Sequence, residues 1–364
     1  MNKNNLQLPS GSIPGQPITA LAPMQDVTHL PFMTVLSQIT PPDYFFTEYF
    51  RVHEHSRLEP HILSSITQNP SNCPVFAQLI GEDIPHMIRT AKALLQYPIA
   101  GIDLNMGCPA PKVYKKNVGG GLLKDLPTID KLLGALRDAI PTRFTVKMRI
   151  GFDHTNDFEA LINLINKHNI DLLSLHGRTV KEMYRSEVHY DFIQYAAHNA
   201  QCPVLANGNI NSLQKAIWTL ENTQAFGVMI GRGAIRNPWI FQQIQQHFSQ
   251  QPIFQPKLED VFYYIQSLYK VTNCDTIKEK FQVNRMKKYL IFIGQGVDPE
   301  GFFLKEIRRV QSESDFFTTC ENHLLKNNKA HQLFSPEPYE GIIARPNCET
   351  PLESCSALLD QALD

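Results

Sequence analysis

Gly101-Ile-Asp-Leu-Asn-Met-Gly-Cys-Pro109 is the stretch on which the fold turns. Its run from Ile102 to Met106 reads as a short buried strand. The strand ends at Gly107, a cysteine follows, and Pro109 and Pro111 forbid regular continuation. A thiol is thus held on a turn at a strand end. There it can face a ligand, or lie buried and inert in a β-turn. Three glycines, Gly119 to Gly121, come next, and they let backbone approach something flat or anionic closely.

Working outward, seven further β-rich runs flank this one. They are Ile18–Met24, Asp43–Tyr49, Pro74–Ile80, Phe144–Ile150, Asp171–His176, Cys202–Asn207 and Phe226–Gly231. Helical periodicity fills the gaps. Ile84, Met87, Ile88, Ala91 and Leu95 recur at spacings of three and four, and Leu161, Ile162, Leu164 and Ile165 behave alike. Eight strand–helix units in series predict a (β/α)8 TIM barrel over 18–250. A doubly wound sheet fits less well, because no G-x-G-x-x-G follows the first strand.

Barrel chemistry sits where strands end and loops begin. Those ends carry Pro23, Met24 and Gln25 on the first strand, with Gln78 inside the third. Asn105 and Cys108 end the fourth, and Lys147 and Arg149 share one face of the fifth. His176 ends the sixth, Asn207, Gly208 and Asn209 the seventh, and Gly231 and Arg232 the eighth. Polar groups inside strands are costly unless paired, so their gathering at one mouth suits a site. The last two ends offer bare backbone N–H groups and a guanidinium, as a phosphate site would. Two ordinary glycine turns with a solvent-facing Arg232 are the plainer alternative.

Beyond the barrel, Pro252 and Pro256 bracket a linker. Four helical patterns follow, at about 257–273, 276–293, 299–311 and 314–326. They predict a small helical domain over 257–330. Between Thr276 and Val310, eight Lys or Arg oppose four acids, a net of +4. Such a face can grip a phosphate backbone or simply be a solvated helix surface. Residues 335–364 read as a loosely packed tail, and 1–17 as a flexible N-terminus.

The 364 residues carry a formal net charge of −1, so no global basic field advertises nucleic acid, and any such partner must meet a local patch. Seven cysteines, an odd count without a C-x-x-C pair, argue for reduced thiols in a cytoplasmic setting and against a zinc site or disulfide framework, and no metal is expected. No apolar run is long enough to span a bilayer.

Several motifs together resemble the tRNA-dihydrouridine synthases. They are Ala22-Pro-Met24, Asp103-Leu-Asn-Met-Gly-Cys-Pro109, Gly119-Gly-Gly-Leu-Leu123, Val146-Lys-Met-Arg149, His176-Gly-Arg-Thr179, Ala206-Asn-Gly208 and Gly227-Val-Met-Ile-Gly-Arg-Gly233. The resemblance implies an FMN-dependent barrel that reduces particular uridines of tRNA, with NADPH reducing the flavin. It makes Cys108 the proton donor. It makes Pro23, Met24, Gln25, Gln78, Lys147, His176, Asn207, Gly208, Asn209, Gly231 and Arg232 flavin-binding positions. Asn105 and Arg149 match residues near the target base. Thr47-Glu-Tyr-Phe-Arg-Val52 and Tyr184-Arg-Ser-Glu187 look most like synthase subgroup C, where the arginine matching Arg51 meets tRNA. Gly121, Met33 and the Ser186–Asp191 segment depart from the family's usual pattern.

The chemistry agrees with the resemblance. A uracil C5=C6 bond accepts hydride at C6 and then needs a proton at C5. A thiol with a pKa of roughly 8.5 is mostly protonated at neutral pH and can donate it. Arg51, Arg185, Lys112, Lys115, Lys116, Lys287 and Lys288 are the cations expected to hold tRNA, whose target base must be extruded to be reduced. A monomer is expected. The rivals are a flavin barrel reducing a free pyrimidine, as dihydroorotate dehydrogenases do, and a non-catalytic RNA-binding barrel.

Overall fold

The computed structural model describes residues 15–273 and 277–342. Eight parallel strands close into a barrel: β1 (Ile18–Leu21), β2 (Tyr44–Phe46), β3 (Val75–Ile80), β4 (Gly101–Met106), β5 (Arg143–Arg149), β6 (Leu172–His176), β7 (Val204–Asn207) and β8 (Gly227–Ile230). Ile18 of β1 lies opposite Gly227 of β8, and Leu21 opposite Ile230, which seals the cylinder. The (β/α)8 fold expected from the eight runs is the one observed.

A helix follows each strand, and local chemistry starts several of them. Asp83, Asp125 and Ser212 cap three helices by accepting from the backbone N–H of His86, Thr128 and Lys215. Proline in the first turn fits there because its missing N–H is not needed. The Leu126–Ala139 helix turns Ile129, Leu132, Leu133 and Leu136 inward, and the strands meet this stripe with their outer side chains.

The barrel's inner residues form a separate apolar cluster of Tyr44, Phe46, Phe76, Leu172, Leu205 and Met229 with Ile18, Ala20 and Ala22. Phe76 stacks on Phe46 at 5.0 Å and meets Tyr44 edge-on at 5.5 Å. This plug fills the interior, and the polar strand-end residues lie above it, towards the strands' C-terminal ends. Side chains alternate along a strand, and the same alternation carries Asp103 and Asn105, and Thr145, Lys147 and Arg149, up one inner face each.

Two strands differ from expectation. β1 ends at Leu21 rather than Met24: Pro23 has no N–H for the ladder, and Met24 N–H turns to Thr28 Oγ1 at 2.6 Å. The second run is a strand only over Tyr44–Phe46, and just beyond the run Phe50–Arg51 forms a separate short pairing on β3, Phe50 opposite Leu79.

The four later helices are Leu258–Thr272, Glu279–Ile293, Phe302–Ile307 and Glu313–Leu324. The third starts later than its pattern, after Pro299 and a left-handed Gly301 (φ 68°). These helices share one apolar core with the barrel's outer face. Tyr289 stacks on Phe32 at 6.0 Å and donates to Val27 O at 3.1 Å, and Tyr264 donates to Ile235 O at 2.9 Å.

The chain then returns to the barrel. Leu333 pairs with Lys257, and buried Arg236 donates to Ser335 O at 2.8 Å and Asn211 O at 2.9 Å. Ser212 Oγ donates to Glu337, and Tyr339 N–H to Gln295 O. The stretch expected as a loose tail from 335 therefore opens with a tied strap. Its remainder, 343–364, and residues 1–14 of the expected flexible N-terminus lie outside the described residues.

Candidate active site

Cys108 sits one residue past Gly107 at the end of β4, on a turn that one side chain organises. Asn105 Oδ1 accepts from Gly107 N–H (3.1 Å) and Cys108 N–H (3.0 Å). Its Nδ2 donates to Gln78 Oε1 at 2.8 Å. Gln78 Nε2 donates in turn to Asp103 Oδ2 at 2.7 Å, and Thr145 Oγ1 to Asp103 Oδ1 at 2.6 Å. A buried chain from Thr145 to Cys108 thus fixes the thiol's backbone. Arg149 holds the turn from the other side, its Nε donating to Gly107 O at 3.0 Å.

Gly119 and Gly120 of the three glycines pack on this turn, and Gly121 packs on Tyr114. Gly120 N–H donates to Cys108 O at 3.2 Å. A Cβ on Gly119 would lie 3.1 Å from Cys108 Cβ, and one on Gly120 would lie 2.9 Å from Cys108 O. A Cβ on Gly121 would lie 2.5 Å from Tyr114 O. The close approach is of protein to protein.

Electrostatics at the mouth are set by burial. It pushes the Cys108 thiol up, against the Ala110 backbone, Arg149, Lys147 and a hydrogen bond with Tyr49. It pushes Asp103 up to about 6, against bonds from Thr145 and Gln78. Burial and then Arg149 bring Lys147 down to about 8, and Nζ donates to Asn207 Oδ1 at 3.0 Å. His176 is driven well below its usual value by burial and by Arg149, Lys147, Arg178 and Arg232. It is therefore a neutral imidazole, and its Nε2 lies 3.3 Å from the Arg178 guanidinium, which can only donate. A partly accessible ammonium, a neutral imidazole and a protonated thiol face one opening.

The other expected residues fall around this centre. Met24 touches the turn after β8, where a Cβ on Gly231 would lie 3.2 Å from Met24 Sδ. Gln25 Oε1 accepts from Tyr49 Oη at 2.7 Å, and Pro23 precedes them in the same loop. Gly208 needs its glycine, with φ 129°, and its carbonyl accepts from Tyr190. Arg232 reaches Asn209 Oδ1 at 3.3 Å and lies 4.8 Å from the Tyr184 ring centroid. Arg149 faces the same ring at 5.4 Å and also donates to Thr179 O and Met183 O. Arg51 is exposed, 5.6 Å from the Tyr49 ring centroid. Arg185 is half-buried beside this loop.

Lys287 and Lys288 stand apart, on the Glu279–Ile293 helix. Lys287 Nζ donates to Val310 O at 2.6 Å, so that lysine anchors a loop. Lys288 is exposed and lies 3.8 Å from Asp26 at the rim.

Sequence reasoning left Asp103, Thr145, Tyr49, Arg178 and Tyr184 without roles. Asp103 and Thr145 could have been found by stepping two residues back from Asn105 and Lys147 along one strand face. The two tyrosines lie on loops, where periodicity gives no signal. Among the described residues, no group of three or more His, Cys, Asp or Glu is arranged to hold a metal ion, and no helix is long and apolar enough to cross a membrane.

A closed barrel with a thiol, a lysine and arginines converging at the strands' C-terminal ends defines a barrel enzyme. The dihydrouridine synthase family model matches residues 20–329, and the chain belongs to that family. It is 33% identical over 257 residues to tRNA-dihydrouridine synthase B of Pseudomonas putida, covering 66% of this chain and 72% of that one. It is 28% identical over 318 residues to synthase B of Pasteurella multocida (83% and 91% covered). It is also 28% identical over 304 residues to a tRNA-dihydrouridine(16) synthase of Neisseria meningitidis (81% and 91% covered). Among solved structures, it is similar to an old yellow enzyme homologue from Zymomonas mobilis (TM-score 0.45, 12% identity, covering 65% of this chain and 89% of that one).

Proposed function

We propose that this chain reduces the C5=C6 bond of specific uridines in cytoplasmic tRNA, with FMN as cofactor and NADPH as reductant. The observation that carries this reading is the Cys108 turn, locked by Asn105 and Arg149 in a mouth lined by cations. The donor set fits an anionic, hydrogen-bonding flavin. Lys147 Nζ donates to the neutral Asn207 amide, so its ammonium is not tied in an ion pair, although Asp103 lies near enough to favour its charge. Met24, Gln25, Gln78, Lys147, His176 and Asn207 would line the ring, and Gly208, Asn209, Gly231 and Arg232 the phosphate.

When bound, FMN supplies the hydride that reaches C6 of the uracil. Cys108 holds the proton for C5, and its raised pKa keeps the thiol protonated at neutral pH. Asn105 and Arg149 keep Sγ at a fixed position, as proton transfer within hydrogen-bond reach requires. Tyr49, bonded to Gln25, stands between the thiol and exposed Arg51 and can pass a replacement proton inward. The plug beneath excludes water from below. We divide the chain into a catalytic barrel over 18–250 and a tRNA-holding helical domain over 257–330, acting as a monomer. Arg51, Arg185 and Lys288 are the cations assigned to tRNA.

The test is anaerobic. The purified protein is reduced, tRNA lacking dihydrouridine is added, and flavin reoxidation is followed with nucleoside mapping. One new dihydrouridine per reoxidised flavin supports the reading, and its position assigns the subgroup. A reduced flavin that ignores tRNA but reacts with a free pyrimidine would replace it with the small-substrate enzyme.

A further inference from the structure

On the Glu279–Ile293 helix, Lys280, Phe281, Asn284, Lys287 and Lys288 recur at spacings of three and four and share one face. The opposite face sends Gln282, Val283, Met286, Tyr289, Leu290 and Ile293 into the core. Phe281 is thus on the outer stripe, and it is 66% exposed, more than any other large hydrophobic among the described residues. A phenyl ring facing water gives the fold nothing, and Leu or Lys would serve the helix better. Of its stripe neighbours, Asn284 is neutral, Lys287 is turned to Val310 O, and Lys280 and Lys288 are exposed cations.

The stripe has a direction. Lys288 lies 3.8 Å from Asp26, in the rim loop that carries Met24 and Gln25. At a rise of ~1.5 Å per residue, Phe281 stands about 10 Å further out along the same face. That is roughly three stacked nucleotides of one strand. An aromatic ring among lysines is what single-stranded or unstacked nucleic acid uses, because any base can stack while phosphates meet the cations. A protein partner would be expected to cover a broader apolar area than one ring.

We propose that Phe281 is a stacking platform for a tRNA base near the target uridine, set in a lysine stripe that leads to the barrel mouth. This rests on the reading of tRNA as substrate. tRNA binding is measured for the full-length parent, Phe281→Ala, Phe281→Tyr and the pair Lys280→Ala with Lys288→Ala, each at several salt concentrations. Phe281→Ala is expected to weaken binding about tenfold at every salt and leave the slope of log K against log salt unchanged. Phe281→Tyr is expected to restore affinity, while the double lysine variant flattens the slope.

Parent-like affinity in Phe281→Ala, or failure of Phe281→Tyr to restore it, overturns the platform. So does a change of Phe281→Ala from dimer to monomer in sedimentation with tRNA affinity intact, which would give the face to a second copy. A parent that does not bind tRNA overturns the substrate reading and the platform with it. A parent that binds while Phe281→Ala binds equally overturns the platform alone. Phe281 is two-thirds exposed, so near-equal thermal midpoints are expected and separate a binding effect from a folding one.

Discussion

Asn105→Ala tests the geometry most directly. The side chain makes three contacts, to Gly107 N–H at 3.1 Å, Cys108 N–H at 3.0 Å and Gln78 Oε1 at 2.8 Å. A buried hydrogen bond contributes roughly 1 kcal/mol, and a buried group left unpaired costs about 1–3 kcal/mol. Losing three bonds and leaving two N–H groups and an amide oxygen unpaired should cost about 3–5 kcal/mol. Gln78 cannot recover by flipping, because its Nε2 is committed to Asp103 at 2.7 Å. Asn105→Asp keeps both acceptor contacts but turns a carboxylate oxygen towards Gln78 Oε1. It should therefore lose part of the stability and keep the turn. Urea unfolding gives the first quantity. Single-turnover reoxidation of the reduced protein by tRNA gives the second, with a loss of ~100-fold expected for Ala from a misplaced thiol and a smaller loss for Asp. An Asn105→Ala protein within about 1 kcal/mol of the parent and transferring at the parental rate would refute the argument.

Three other outcomes follow from the same contacts. Burial pushes buried Glu48 up to about 7, and its Oε1 has no hydrogen-bond partner. A folded pKa raised above the unfolded one costs stability as pH rises between the two, so Glu48→Gln should match the parent near pH 4 and exceed it by up to about 3 kcal/mol at pH 8, read from urea midpoints across that range. Cys108→Ala should keep its flavin spectrum and NADPH oxidation while dihydrouridine formation falls by about 10²–10⁴, and full turnover on tRNA would remove Cys108 as the acid. Arg236→Lys cannot reach Ser335 O and Asn211 O together, so it should lose about 3 kcal/mol and expose the strap to protease, whereas parental protease resistance would deny the strap its anchor.

The barrel was legible because its strands are buried on both sides, which leaves unbroken apolar runs at even spacing. Polar residues gather towards one end of these runs, so Asn105, Lys147, His176 and Asn207 announced the mouth. What stayed hidden depends on contacts between distant segments. Nothing in Gly119-Gly-Gly121 says that the glycines make room for the Cys108 turn. Nothing around Lys287 separates a lysine that caps Val310 O from its neighbour Lys288, which stays exposed. Tyr49 and Tyr184 took their places through loop geometry, and strap residues Ser335 and Pro336 are held by a barrel arginine about 100 residues earlier.

The bond from Tyr289 to Val27 O spans 262 residues of chain. A ribosome adding about 5–20 residues per second would make the tyrosine roughly 13–50 s after the loop it holds. During that interval the nascent first strand is followed by a rim with no roof. The barrel can collapse around its aromatic plug, yet Met24 and Gln25 wait for a helix not yet synthesised. Biosynthesis thus separates two events that the finished molecule merges: closing the cylinder, and setting the edge over which substrate enters.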